Sequence, residues 1–226
     1  MKIHRFITQN YKKEGNIVFI LDENIIHQIK QVLKIIPGEQ IKLIDSEALT
    51  ETLLLIKQID KKEIRADIIS IEKIEKEFGG TLACAILKGD HFDLVVEKST
   101  ELGIQKIIPL ITDRVIKKSI NKERLQKIAT EASEQSGRIS VPEITEPQKL
   151  KDFLEENKDK KIYFAHISEK EQTILEKESI VCVGPEGGFT DGEISLFEEY
   201  STIPLSLGKN VLRAETAAIV VSFKMQ

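Results

Sequence analysis

Tryptophan is absent, and aromatic residues make up only 5% of the 226-residue chain. Platforms for stacking successive nucleic-acid bases are therefore few. Two cysteines occur, Cys84 and Cys182, which excludes a disulfide framework and fits a reducing compartment. No Cys/His cluster has zinc spacing, and His4, His27, His91 and His166 are scattered, so no metal is expected. No apolar run approaches the roughly 18 residues of a membrane span. The opening stretch, MKIHRFITQN, lacks the apolar core of a secretory signal. The expectation is a cytoplasmic protein that does not engage membranes. An excess of basic charge is missing as well. The net charge of −4 argues against a generally sticky nucleic-acid binder, though it leaves room for a local basic face.

What is present is enough apolar sequence, 41%, to bury a core. Charge is unevenly spread. Residues 1–78 carry 13 basic and 13 acidic side chains, residues 88–138 carry 10 and 8, and residues 139–226 carry 10 and 16. If the chain touches RNA, contacts to phosphates are thus expected from the first two-thirds.

Short apolar segments at Ile3–Phe6, Ile17–Ile20, Ile41–Ile44, Thr52–Ile59 and Ile64–Ile71 read as strands. Between them, Asp22 caps a helix whose stripe is Ile25, Ile26, Ile29, Val32 and Leu33, stopped by Pro37-Gly38. This predicts a small barrel-like β unit over 1–78, with a hinge at Phe78-Gly79-Gly80. The rhythm then changes. Strands at Leu82–Leu87, Lys106–Leu110, Lys161–Ala165, Ile180–Val183 and Pro204–Leu207 alternate with helices. The helices are expected at His91–Leu102 (capped by Asp90), Asn121–Ser136, Leu150–Asn157, Thr190–Tyr200 and Arg213–Phe223. Alternation of this kind predicts an α/β domain with a parallel sheet over 79–226.

Two segments look chemical, and both run from strand through a glycine loop into a helix. The first spans Val183, Gly184, Pro185, Glu186, Gly187 and Gly188, and leads into the capping box Thr190–Glu193. Parallel sheets bind ligands at the carboxyl ends of their strands. Glycine permits close backbone approach. A tight strand-to-helix turn would use the same residues. The segment is not a phosphate loop, because no Gly-Lys-Ser/Thr ending follows, and it is not GxGxxG. The second runs from Leu205, Ser206, Leu207 and Gly208 through Val211 and Leu212 to Arg213 and Glu215. A charged pair there either caps the helix or does chemistry.

These segments resemble one known family. GPEGGFTDGEI (184–194) followed by LSLGKNVLRAETA (205–217) is similar to the ribosomal RNA small subunit methyltransferase E family, within the SPOUT superfamily of knotted methyltransferases. So are KGDHFDLVVEKSTELGIQKIIPLITDRV (88–115), EASEQSGRISVPEI (131–144) and the N-terminal HQIKQVLKIIPGEQIKLID (27–45). The resemblance covers nearly the whole chain. It implies an N-terminal PUA-like β-barrel joined to an α/β SPOUT domain tied in a deep trefoil knot. It further implies a homodimer that binds S-adenosylmethionine, releases S-adenosylhomocysteine, and methylates N3 of one uridine of 16S ribosomal RNA near the decoding region of the small ribosomal subunit.

Carried onto this chain, the resemblance places three loops at the cofactor: Phe164-Ala165-His166, Val183–Gly188 and Leu205–Leu212. Arg213 becomes the first candidate for stabilising charge on the uracil oxygens, and Glu215 either orients it or acts as a base. Arg138 and Lys88, Arg114, Lys117 and Lys118 are candidates for RNA contact, joined by Arg5, Lys30 and Lys34 in the N-terminal domain. The chain departs from the family at Asn210 and Lys34, where arginine is usual, and at His91, where a basic residue is common. Arginine's planar fork has no substitute in lysine or asparagine. Other readings are a knotted methyltransferase acting on a different RNA, a non-catalytic RNA-binding assembly factor, and a nucleotide-binding regulator. Missing phosphate-loop chemistry counts against the last.

Overall fold

The structure, a computed structural model, describes residues 3–116, 118–166, 175–176 and 178–226. The chain divides into two compact units. One holds the residues up to Glu77 together with Ser133–Ser140, and the other holds Phe78–Ala132 and Val141–Gln226.

In the first unit, β1 (His4–Ile7), β2 (Tyr11–Glu14), β3 (Ile17–Ile20), β4 (Gln40–Asp45), β5 (Thr50–Ile59) and β6 (Ile64–Lys73) form one sheet in the order β1-β4-β5-β6-β3-β2. Among the described residues of this unit, only β1 and β4 pair in parallel. The long β5–β6 ladder slips register twice, between Leu53 and Leu54 and between Ile56 and Gln58. Such bulges add twist and let a sheet curl. The core gathers Phe6, Ile29, Ile41, Leu54 and Ile56. Strand β2 reads YKKE and is mostly exposed at the sheet edge, which is why apolar alternation did not reveal it. Its Tyr11 hydroxyl donates to Asp45 Oδ2 at 2.8 Å. Burial and that bond push the phenol up to about 12.

Helix α1 (Glu23–His27) starts as expected. The Asp22 carboxylate accepts from the Asn24 and Ile25 amides. The helix then widens into a π-helical turn at Gln28–Val32. That turn rotates the stripe: Ile29 stays fully buried, but Val32 is 65% exposed. A uniform 3.6 period had placed Val32 inside. Lys34 ends the segment with φ 53.

The second unit contains β7 (Thr81–Ala85), α2 (His91–Glu101), β8 (Lys106–Ile111), α3 (Lys122–Ser136), β9 (Glu143–Ile144), β10 (Gln148–Lys149), α4 (Leu150–Glu156), β11 (Ile162–Ala165), β12 (Ile180–Val183), α5 (Asp191–Glu199), β13 (Ile203–Leu205) and α6 (Ala214–Lys224). Residues of α3 from Ser133 onward group with the first unit. The sheet order is β10-β8-β7-β12-β11-β13, with β9 on β8. Every pairing is parallel, as the strand–helix alternation predicts.

Successive strand residues point to opposite faces. Leu82, Cys84, Tyr163, Val181 and Val183 pack with α2, α3 and α6. Ala83, Ile162, Phe164, Ile180 and Cys182 pack with α4 and α5. The two buried cysteines therefore sit on opposite faces, and burial raises both thiols above their ordinary values. Helix α5 has the full capping box expected at Thr190 and Glu193. Asp90 occupies the N-cap position of α2 but its side chain makes no cap bond. Among the described residues no helix is long and apolar enough to cross a membrane, and no group of three His, Cys, Asp or Glu is placed to hold a metal ion.

Phe153, fully buried on the α4 side, is a direct test of this packing. Phe153→Ala is expected to cost about 3–5 kcal/mol in urea unfolding. A cost below about 1 kcal/mol would mean that this face is not tightly packed.

Candidate functional site

Parallel strands that end side by side deliver their following loops to one place. Register does this here for β12, β11 and β13. Phe164 pairs with Cys182, and Ala165 with Leu205. Past the strand ends, the His166 amide donates to the Leu205 carbonyl at 3.1 Å. The three loops enclose a cleft of about 270 Å³, close to the lower limit of the roughly 300–1,000 Å³ common for small-molecule sites.

Most of the expected cofactor residues line this cleft: Ala165, His166, Val183, Gly184, Pro185, Glu186, Gly188, Leu207, Gly208, Val211 and Leu212. Four do not. Phe164 is buried below the loops, its ring stacked on Phe197 with centroids 4.4 Å apart. Leu205 is fully buried, and Ser206 is 6% exposed. Gly187 faces the other way, against the side chain of Arg114. The cleft also takes in Phe189, Asn210, Ala214 and Ala217. Phe189 and the alanines lie within the recognisable motifs, but nothing in their residue type signals a ligand. Gly208 has φ 119, a backbone conformation closed to ordinary side chains.

The Val183–Gly188 loop is held from three sides. The Lys88 amide donates to Glu186 Oε1 at 3.0 Å. Arg114 Nη1 donates to the Gly187 carbonyl and, at 3.3 Å, to the Phe189 carbonyl. Buried Glu193 accepts from the Asp113 amide at 2.9 Å and the Thr190 amide at 2.8 Å. The Thr190 hydroxyl completes the tie by donating to Asp113 Oδ2 at 2.9 Å. A Cβ on Gly187 would meet Arg114 Cδ at 3.1 Å, so a larger residue there would have to displace the Arg114 side chain slightly.

Arg213 and Glu215 flank the cleft-lining Ala214. Arg213 sits at the N-cap of α6, exposed, and among the described residues no group pairs with its guanidinium. Glu215 is buried and turns to His91, with Oε1 3.5 Å from Nδ1. It does not brace Arg213. The His91–Glu215 pair spans 124 sequence positions, which no local pattern could have announced.

The lining chemistry is specific. Among the described residues, no lysine or arginine lines the cleft, and Glu186 is its one carboxylate. A phosphate-rich nucleotide would find no counter-charge there. A ligand with an apolar and hydrogen-bonding body and a cationic centre would fit, as S-adenosylmethionine does.

The residues expected to meet RNA are variously engaged. Arg114 is committed to the loop carbonyls. Arg138 is 5% exposed, and its Nε donates to Glu77 Oε2 at 3.1 Å. Burial lowers its affinity for a proton, partly offset by Glu77. Arg5 pairs with Glu51 at 3.0 Å, and Lys30 Nζ donates to the Asp60 carbonyl at 3.0 Å. Lys34, Lys88 and Lys118 are exposed. Lys117 lies outside the described residues.

The chain is similar to known proteins along its whole length. The family model described as "RNA methyltransferase domain" matches residues 75–226. The ribosomal RNA small subunit methyltransferase E of Rickettsia conorii is 35% identical, over 97% of this chain and 93% of that protein. The protein of that name from Bacillus subtilis is 29% identical, over 86% and 84%. Among solved structures, the ribosomal RNA small subunit methyltransferase E of Neisseria gonorrhoeae bound to S-adenosylmethionine superposes with a TM-score of 0.88 at 28% identity, covering 100% of this chain and 97% of that one. A Legionella pneumophila protein solved with the same cofactor gives 0.87 at 31% identity, covering 98% and 96%.

The clamp yields a test. Arg114→Ala should speed amide hydrogen exchange across residues 187–190 while moving the urea midpoint little, because Arg114 is itself exposed. Unchanged exchange there would show that the loop does not depend on this side chain.

Proposed function

The chain belongs to the ribosomal RNA small subunit methyltransferase E family, and on that footing we propose that it is an S-adenosylmethionine-dependent methyltransferase acting on N3 of a uridine in 16S ribosomal RNA, near the decoding region. The observation that carries the reading is the cleft at the ends of β11, β12 and β13, with its backbone-rich loops, lone carboxylate and lack of basic lining. In this reading residues 1–78 are a PUA-like RNA-binding barrel, and residues 79–226 are a SPOUT domain whose carboxyl-terminal part is knotted. The enzyme works in the cytoplasm as a homodimer. Support for self-association comes from the apolar side chains left exposed on the second unit, Phe223 at 64% and Val211 at 80%.

The loop residues around Ala165, Gly184 and Gly208 hold the adenosine part of the cofactor through backbone groups. When bound, the cofactor supplies an electrophilic methyl group on a cationic sulfur. The protein's own residues prepare the other reactant. Uridine N3 carries a proton and is nucleophilic mainly as its anion, whose charge spreads onto O2 and O4. The unpaired guanidinium of Arg213 presents several donors to such a delocalised anion. The His91–Glu215 pair offers the released proton an acceptor shared between Nδ1 and Oε1. The N3 edge is occupied in a paired uridine, so the target must be unpaired or splayed out. Phosphate docking falls to Arg5, Lys30, Lys34 and Lys88, with Arg114 and Arg138 contributing through the segments that they brace.

Two experiments test this. Mass mapping of 16S ribosomal RNA from cells lacking the gene should show one uridine short of a methyl group. A fully methylated RNA would refute the assignment. Arg213→Ala should lower turnover by about 10²–10³-fold and leave cofactor affinity nearly intact. Turnover at the wild-type level would remove Arg213 from the role.

A further inference from the structure

Methyl transfer changes the charge of the cofactor and little else about it. S-adenosylmethionine and S-adenosylhomocysteine share their nucleoside and amino-acid parts. They differ by one methyl group and the positive charge on sulfur. A site that recognises only the shared parts holds product as tightly as donor and is slowed by what it makes. Discrimination requires a group that senses the sulfonium charge.

The cleft contains one group suited to this. Among its described lining residues Glu186 is the one carboxylate, and no lysine or arginine accompanies it. The carboxylate is fixed: Oε1 accepts the Lys88 amide at 3.0 Å, and the neighbouring Gly187 and Phe189 carbonyls are gripped by Arg114. The bond from Lys88 anchors the carboxylate at the mouth of the cleft without neutralising its charge. Burial works against charging this carboxyl. Hydrogen bonds from the Lys88 and Glu186 amides, with the charges of Lys88 and His91, outweigh burial and hold it below its ordinary range. It is therefore ionised at neutral pH. His91 does not line the cleft and turns to Glu215, so among the described residues no lining lysine or arginine cancels the charge of Glu186.

We propose that Glu186 is a specificity-determining residue that makes the cleft prefer the cationic methyl donor over the neutral thioether product. This deepens the methyltransferase reading and rests on it. The carboxylate attracts the charged donor, loses that attraction once the methyl group has left, and so favours product release. Glu186 is exposed, so solvent screening limits the effect.

Calorimetric titration of the full chain with three ligands tests the idea: S-adenosylmethionine, S-adenosylhomocysteine and sinefungin, which carries an ammonium centre in place of the sulfonium. In the wild type, both cationic ligands should bind more tightly than the thioether. Glu186→Gln should reduce the ratio of donor to product affinity by roughly three- to tenfold, and sinefungin should follow the donor. General damage to the loop would weaken all three ligands alike and leave the ratio unchanged, and that outcome overturns the proposal. If the wild type binds none of the three, the methyltransferase reading fails instead. If it binds them and the ratio ignores Glu186→Gln, only the role of Glu186 fails.

Discussion

Hydrogen-bond register among β12, β11 and β13 places the chemistry. With Cys182 beside Phe164, and Ala165 beside Leu205, the three strands end together, and the His166 amide joins the Leu205 carbonyl just beyond. A shift of one residue in any of these pairings would reverse its side chains between the two core faces. Phe164 would leave its stack on Phe197, and Val183 would leave the α6 side. Strands β11 and β12 are buried on both faces, so their register is strongly specified. The loops inherit that precision without needing rigid sequences of their own.

The glycine-rich loop needs more than position. Glycine allows close approach, but it also allows wandering. Glu186, Arg114 and the Thr190–Asp113–Glu193 tie supply the restraint from neighbouring segments. Several of these groups had other apparent roles. Arg114 looked like a phosphate contact because it stands among lysines in a basic stretch. Its partners are backbone carbonyls more than 70 residues away, which carry no mark in the sequence. Arg138 misleads in the same way, since Glu77 lies far off in the chain and burial is invisible to composition.

Much of the architecture was legible nonetheless. Buried parallel strands read as continuous apolar runs, and the β–α alternation marked the second unit because both faces of its sheet are covered. The two-residue strands β9 and β10 fall below any periodic signal, as does polar β2. The π-helical turn defeated the helical count at Val32, since the period itself changes there. The cleft was legible by motif more than by pattern. GPEGG and LRAETA flagged the loops, and Phe189, Ala214 and Ala217 lie within the same motifs, although their residue types alone gave no sign that they would line the cleft. The pairing of Glu215 with His91 was beyond reach, because it depends on α6 meeting the start of α2.

Function in this chain requires the loops after β11, β12 and β13 to form a single pocket for a methyl donor. A crystal structure of the chain soaked with S-adenosylmethionine is the most direct examination. The adenosine should lie among the backbones of Ala165, Gly184 and Gly208, with the sulfonium end towards Glu186. Electron density for the ligand elsewhere, or loops rearranged so that they no longer share one cleft, would contradict it.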